Sequence, residues 1–128
     1  VIARIESLIL GKSQKDALKR AEAYSDAGAD AILIHSKEKN PSQIFSFAKK
    51  FEKSKYFKPL VAVPSTYSKT YEKELINNGF KIVIYANQMI RASYPAMVNV
   101  AKSILVNKRS FNSEKKISSI NEVINLIK

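Results

Sequence analysis

A chain of 128 residues, 45% of them hydrophobic, with 3 Gly and 4 Pro, has the make-up of one globular domain and not of a disordered segment. It has no cysteine, which excludes disulfides, thiolate metal sites and cysteine nucleophiles. A formal net charge of +11, from 22 basic and 11 acidic residues, would suit a nucleic-acid partner if the lysines formed a dense stripe. Instead Lys12, Lys15, Lys19, Lys37, Lys39, Lys49, Lys50 and Lys102 are scattered singly or in pairs, the pattern of a solvated surface. The same charge would help attract a small anionic substrate.

Val1 to Leu8 reads as a strand and Gly11 as the break after it. Because this segment carries Arg4 and Glu6, it does not read as a leader. Nor does any apolar run approach the roughly 20 residues that cross a bilayer. A cytoplasmic protein without membrane or nucleic-acid partners is expected. Ser13 is placed to cap a helix, with Asp16 three residues on in the capping-box position. Ala17, Leu18, Ala21 and Tyr24 form its apolar stripe, and Ala27-Gly28 ends it. The run Ala29 to His35 is typical of a strand buried on both faces.

Asn40-Pro41 starts the next helix, whose apolar residues Ile44, Phe47, Ala48 and Phe51 repeat at i, i+3, i+4 and i+7. Leu60 to Val63 gives a third strand, and the polar segment Ser65 to Thr70 leads to a short helix ending near Asn78-Gly79. A fourth strand covers Lys81 to Tyr85. Beyond Asn87 a longer helix carries Ile90, Met97, Ala101, Ile104 and Leu105, and Asn107 to Lys116 reads as a loop. A last helix opens on the capping box Ser119 and Glu122, with Ile120, Val123, Ile124 and Ile127 as its apolar face.

Four β-α units in series imply an α/β fold of parallel strands joined by right-handed crossovers. No internal domain boundary is evident, so residues 1–128 are expected to form a single partial domain. The chain opens inside a strand, and four parallel strands leave two edges to be covered. Both points fit the C-terminal half of a (β/α)8 barrel, with the N-terminal half absent from this chain.

In such a fold ligands bind where strands end. Arg4 and His35, the only histidine, lie near the ends of neighbouring strands. Two readings of Arg4 stand: an internal ion pair with Glu6, two residues away on the same strand face, or a fork for a carboxylate or phosphonate. His35 could bind an anion or move a proton. Ser36 and Lys37 follow as further contacts or ordinary loop residues. Pro64 to Tyr67 and Ala86 to Gln88 also leave strands at this rim, with Asn87 either a site residue or a helix cap. Glu6 is the only carboxylate placed to face inward, so a metal site is not expected within the chain. A glycine-rich phosphate loop, a nucleophile elbow and zinc spacing are all missing.

Four segments together resemble the isocitrate lyase/phosphoenolpyruvate mutase superfamily, and within it the phosphoenolpyruvate mutase family. They are Ala3-Arg4-Ile5-Glu6-Ser7; Ala23-Tyr24 with Ala27 through Lys37; Val63 through Thr70; and Val83 through Asn87 with Ile90-Arg91-Ala92-Ser93. The resemblance runs in order over essentially the whole chain and matches the C-terminal half of that barrel. Superfamily lyases usually carry glutamate where His35 stands, so the histidine points to the mutase branch and its relative phosphonopyruvate hydrolase. Ser68-Lys69-Thr70 and Arg91-Ala92-Ser93 look more like mutase sequences.

The resemblance implies a Mg2+-dependent interconversion of phosphoenolpyruvate and phosphonopyruvate, the step that forms a C–P bond. By that resemblance Arg4 would bind the anionic groups of the substrate and His35 would lie against the transferring phosphoryl group; from their positions in the chain Ser36 is expected as a further contact, with Glu6 and Asn87 supporting them. It also implies a homo-oligomer exchanging its terminal helix. The family's magnesium-binding aspartates and gating loop belong to the other half of the barrel, so this chain alone is expected to be inactive. Phosphonopyruvate hydrolase and a non-catalytic half-barrel interaction module are the alternatives.

Overall fold

The computed structural model describes residues 1–127. Chain contacts divide it into two compact units, Val1–Ala86 and a second beginning at Asn87. The first holds strands β1 (Ile2–Ile5), β2 (Ala31–Ile34), β3 (Leu60–Ala62) and β4 (Phe80–Val83), with helices α1 (Gln14–Asp26), α2 (Ser42–Phe51) and α3 (Glu72–Asn77) between them. All neighbouring strands are parallel, in the order β1-β2-β3-β4. This is the predicted alternation, with each strand shorter than its apolar run. Strand β4 begins one residue early, at Phe80.

Strand parity separates two apolar layers. Ile32, Ile34, Leu60 and Ala62 join Ala17, Ala21, Ile44, Phe47, Ala48 and Phe51 in the main core. Ala31, Leu33, Val61 and Val63 make a second cluster on the opposite face of the sheet. A strand buried on both faces has no room for alternation, which is why β2 reads as an unbroken apolar run. Phe47 and Phe51 stack with ring centroids 5.5 Å apart. Burying an aromatic of this size contributes about 1.5–3 kcal/mol.

The helix ends follow local chemistry, with some departures from expectation. Ser13 Oγ accepts from the Asp16 N–H at 3.2 Å, but Asp16 does not return the bond. Its carboxylate instead accepts from Ser7 Oγ at 2.6 Å and Arg20 Nε at 2.9 Å. These partners hold the Asp16 carboxyl below its ordinary pKa, with the Ser7 hydrogen bond the larger cause. Pro41 occupies the cap position of α2, while Asn40 Oδ1 accepts from the Ser42 N–H at 2.8 Å. Gly28, at φ 99°, and Gly79, at φ 90°, turn the chain from a helix into the next strand.

The second unit contains α4 (Gln88–Asn107), α5 (Phe111–Glu114) and α6 (Ile120–Asn125). The segment expected as a loop thus carries one short helix, α5. Pro95 lies inside α4, where it has no N–H to give to the preceding turn. Met89, Ile90, Met97, Ile104 and Leu105 are exposed, as are Ile120, Val123 and Ile124 of α6. The apolar faces expected of these helices are present in sequence but uncovered. Ser119 and Glu122 form the predicted capping box.

Candidate active site

Register places the candidate residues. Arg4 pairs with Leu33, and Leu33 with Val61, so Arg4 stands on the face of the second apolar cluster. Ile5 pairs with Ile34, and the next residues along the two strands are Glu6 and His35. Parity returns both to the face of Arg4. The face thus changes from aliphatic to ionisable where β1 and β2 end.

The charges there are already partly engaged. Arg4 Nε is ion-paired with Glu6 Oε1, with the two side chains 52% and 41% exposed. The internal ion pair, one of the two readings of Arg4, is therefore present. It does not consume the guanidinium, because one carboxylate oxygen at Nε leaves the terminal nitrogens of the fork to other acceptors. Arg4 and Glu6 also line a cavity of about 150 Å³ with Lys12 and Arg20, a surface biased toward anions.

His35 is 9% exposed, and its pKa is pushed down, first by burial and then by the charge of Arg4, with Glu6 opposing. Arg4 and His35 are thus within electrostatic reach of each other, although His35 does not line the cavity beside Arg4. A neutral imidazole near an arginine can accept a proton or donate one hydrogen bond to an anion.

Ser36 is fully buried. Its hydroxyl donates to Gln43 Oε1 at 2.7 Å and accepts from the Glu38 N–H at 3.1 Å, while its carbonyl accepts from Thr66 Oγ1 at 2.7 Å. In this geometry Ser36 knits two strand-end loops together. Lys37 is exposed. Asn87 is the cap residue of α4, but its side chain does not cap the first turn; its N–H donates to Gln88 Oε1 at 3.1 Å. The loop after β3 contributes Tyr67, which is fully buried with its ring centroid 6.3 Å from that of His35. Sequence reading placed Tyr67 at the rim without a role; an aromatic within a polar connection was the available signal.

Among the described residues, no three His, Asp or Glu side chains cluster to hold a metal ion. No helix among them is long and apolar enough to cross a membrane. The carboxylate nearest the site, Glu6, is held by Arg4. The donor set of the described residues does not fit a magnesium site.

Known proteins resemble this chain in sequence and in fold. A phosphoenolpyruvate phosphomutase from Tetrahymena pyriformis is 40% identical over 126 residues, which is 98% of this chain and 41% of that protein. The crystal structure of a phosphoenolpyruvate phosphomutase from Streptomyces platensis subsp. rosaceus superimposes with a TM-score of 0.87 at 40% identity, over 98% of this chain and 43% of that one. A phosphonopyruvate hydrolase in complex with oxalate and Mg2+ matches at 39% identity and a TM-score of 0.86, over 98% and 44%. This chain therefore spans less than half the length of these relatives, and its strands and helices correspond to half of their barrel. Residues 1–105 match the phosphoenolpyruvate phosphomutase family, and the chain belongs to it.

Proposed function

We propose that this chain supplies the substrate-facing half of a barrel that interconverts phosphoenolpyruvate and phosphonopyruvate. The observation that carries the reading is Arg4 beside a buried His35 at the adjacent ends of β1 and β2. The guanidinium of Arg4 would hold the anionic groups of the substrate, and the His35 imidazole would lie against the phosphoryl group in transit. Positive and hydrogen-bonding groups fixed there would stabilise a metaphosphate-like species as the pyruvate enolate changes from oxygen to carbon attack. Glu6 would fix the Arg4 side chain, and Ser36 would shape the rim beside it.

The relative crystallised with oxalate and Mg2+ supports a magnesium requirement in the complete enzyme. Its ligands would come from outside the described residues, which do not assemble a metal site. The complete enzyme would act in the cytoplasm as a homo-oligomer, and this chain alone would be inactive. Joining it to a family N-terminal barrel half should restore conversion of phosphonopyruvate to phosphoenolpyruvate, and Arg4→Ala should abolish it. Unchanged turnover in that variant would refute the role of Arg4.

The similarity to a phosphonopyruvate hydrolase supports a second reading, in which water intercepts the phosphoryl group. Release of pyruvate and phosphate by the joined protein, without phosphoenolpyruvate, would select it.

A further inference from the structure

A working imidazole is ordinarily oriented by the hydrogen bond at its second nitrogen. His35 lacks that support on one side: Nδ1 is buried and has no hydrogen-bond partner among the described residues. Something else must fix the ring, and the group in place is Tyr67. The two ring centroids are 6.3 Å apart and the planes are inclined at 55°, within the tilted geometry that aromatic pairs prefer.

Tyr67 is itself held firmly. It is fully buried, the Thr70 N–H donates to its carbonyl at 3.0 Å, and the preceding residue anchors the loop through Thr66 Oγ1 to the Ser36 carbonyl at 2.7 Å. That last bond ties the loop of Tyr67 to the residue next to His35. Among the described residues the phenol oxygen has no hydrogen bond of ordinary geometry and is influenced by the Val63 backbone, so the ring is the part that meets His35.

We infer that Tyr67 is a positioning residue for His35, its buried ring setting the tilt of the imidazole at the strand ends. The importance of that tilt rests on the reading that His35 faces the substrate. Burial is the larger cause of the lowered His35 pKa, and the buried Tyr67 ring is part of its surroundings. Arg4 adds to that lowering and Glu6 opposes it, so Tyr67 acts beside two charges on β1.

The test uses the 128-residue chain, where a single histidine gives unambiguous ring signals in NMR. The parent chain should show nuclear Overhauser contacts between the His35 and Tyr67 ring protons; their absence in the folded chain would overturn the inference. Tyr67→Phe should keep those contacts and leave the His35 titration midpoint in place. Tyr67→Leu should shift the midpoint up toward the ordinary 6.5 in chain that retains dispersed amide signals. A folded Tyr67→Leu protein with parent-like imidazole shifts and midpoint would overturn the inference. Phe51→Leu, in the core away from His35, should not move the midpoint. An equal shift there would reduce Tyr67 to general packing and also overturn it. No substrate enters these measurements, so their failure is separable from failure of the turnover test on Arg4.

Discussion

Glu6 and His35 follow directly on the paired residues Ile5 and Ile34, so a carboxylate and the only histidine end neighbouring parallel strands on one face. Arg4 lies one step back on that face and is ion-paired with Glu6. The three groups form an electrostatic unit in which each charge acts on the imidazole, and its predicted behaviour follows from the signs.

In the folded chain His35 should titrate below 6.5, because burial and Arg4 both disfavour the imidazolium. Arg4→Ala removes a repelling cation and should raise the midpoint. Glu6→Gln removes the opposing carboxylate and should lower it further. Proton NMR of the single imidazole reads both shifts. A fall on Arg4→Ala would show that the two groups are not neighbours.

The same depression has a consequence for stability. Between the folded midpoint and 6.5 the unfolded chain binds more protons at His35 than the folded chain does, so stability rises with pH across that window. The contribution is complete above 6.5 and is lost as pH falls through the folded midpoint. Urea denaturation at a series of pH values should show this slope, and His35→Asn should flatten it. Asp16 acts in a separate, more acidic window. Its lowered pKa contributes stability above 3.8 that is lost as pH falls below it.

In a barrel completed by a family N-terminal half, Arg4→Lys should keep a positive charge but lose the planar fork, and activity should fall well short of the parent. His35→Ala should reduce kcat by about 10²–10³-fold, the usual effect of removing one fixed donor from developing charge. A kcat unchanged in His35→Ala, with only KM raised, would assign the residue to ground-state binding.

Much of this architecture was legible because the main signals are local. The i, i+3, i+4, i+7 pattern of Ile44, Phe47, Ala48 and Phe51 placed α2 correctly, and all four are buried. The unbroken run before His35 gave a strand covered on both faces. Sequence could not show that Asp16 would serve Ser7 and Arg20 instead of closing a capping box, since Ser7 lies on a different element. Nor could it show that Ser36 would be tied to Thr66, 30 residues on, or that Tyr67 would turn inward beside His35, because these contacts join separate strand-end loops. The apolar faces of α4 and α6 were also legible, but apolar periodicity records only that a surface can be buried. It does not say by what.

Thr66→Val should test how far the loop tie holds the site. The hydroxyl of Thr66 bridges to the Ser36 carbonyl at 2.7 Å, and valine keeps the shape while removing the donor. A typical loss of about 0.5–1.5 kcal/mol is expected by chemical denaturation. Because Ser36 follows His35 directly, the imidazole signals should broaden or shift.

Gly28→Ala isolates backbone strain from packing. Gly28 sits at φ 99°, where an L side chain is disfavoured, yet an added Cβ would meet no atom within 4 Å. Any cost is therefore conformational, of the order of 1–2 kcal/mol, the penalty for holding an L residue at positive φ. This turn leads from α1 through Ala29, whose N–H donates to the Tyr24 carbonyl at 3.0 Å, into β2. The variant should unfold at lower urea with an unchanged m-value, and the His35 midpoint should stay where it is in the parent. A larger loss together with a moved midpoint would mean that the turn sets the register of β2, and with it the position of His35 beside Glu6.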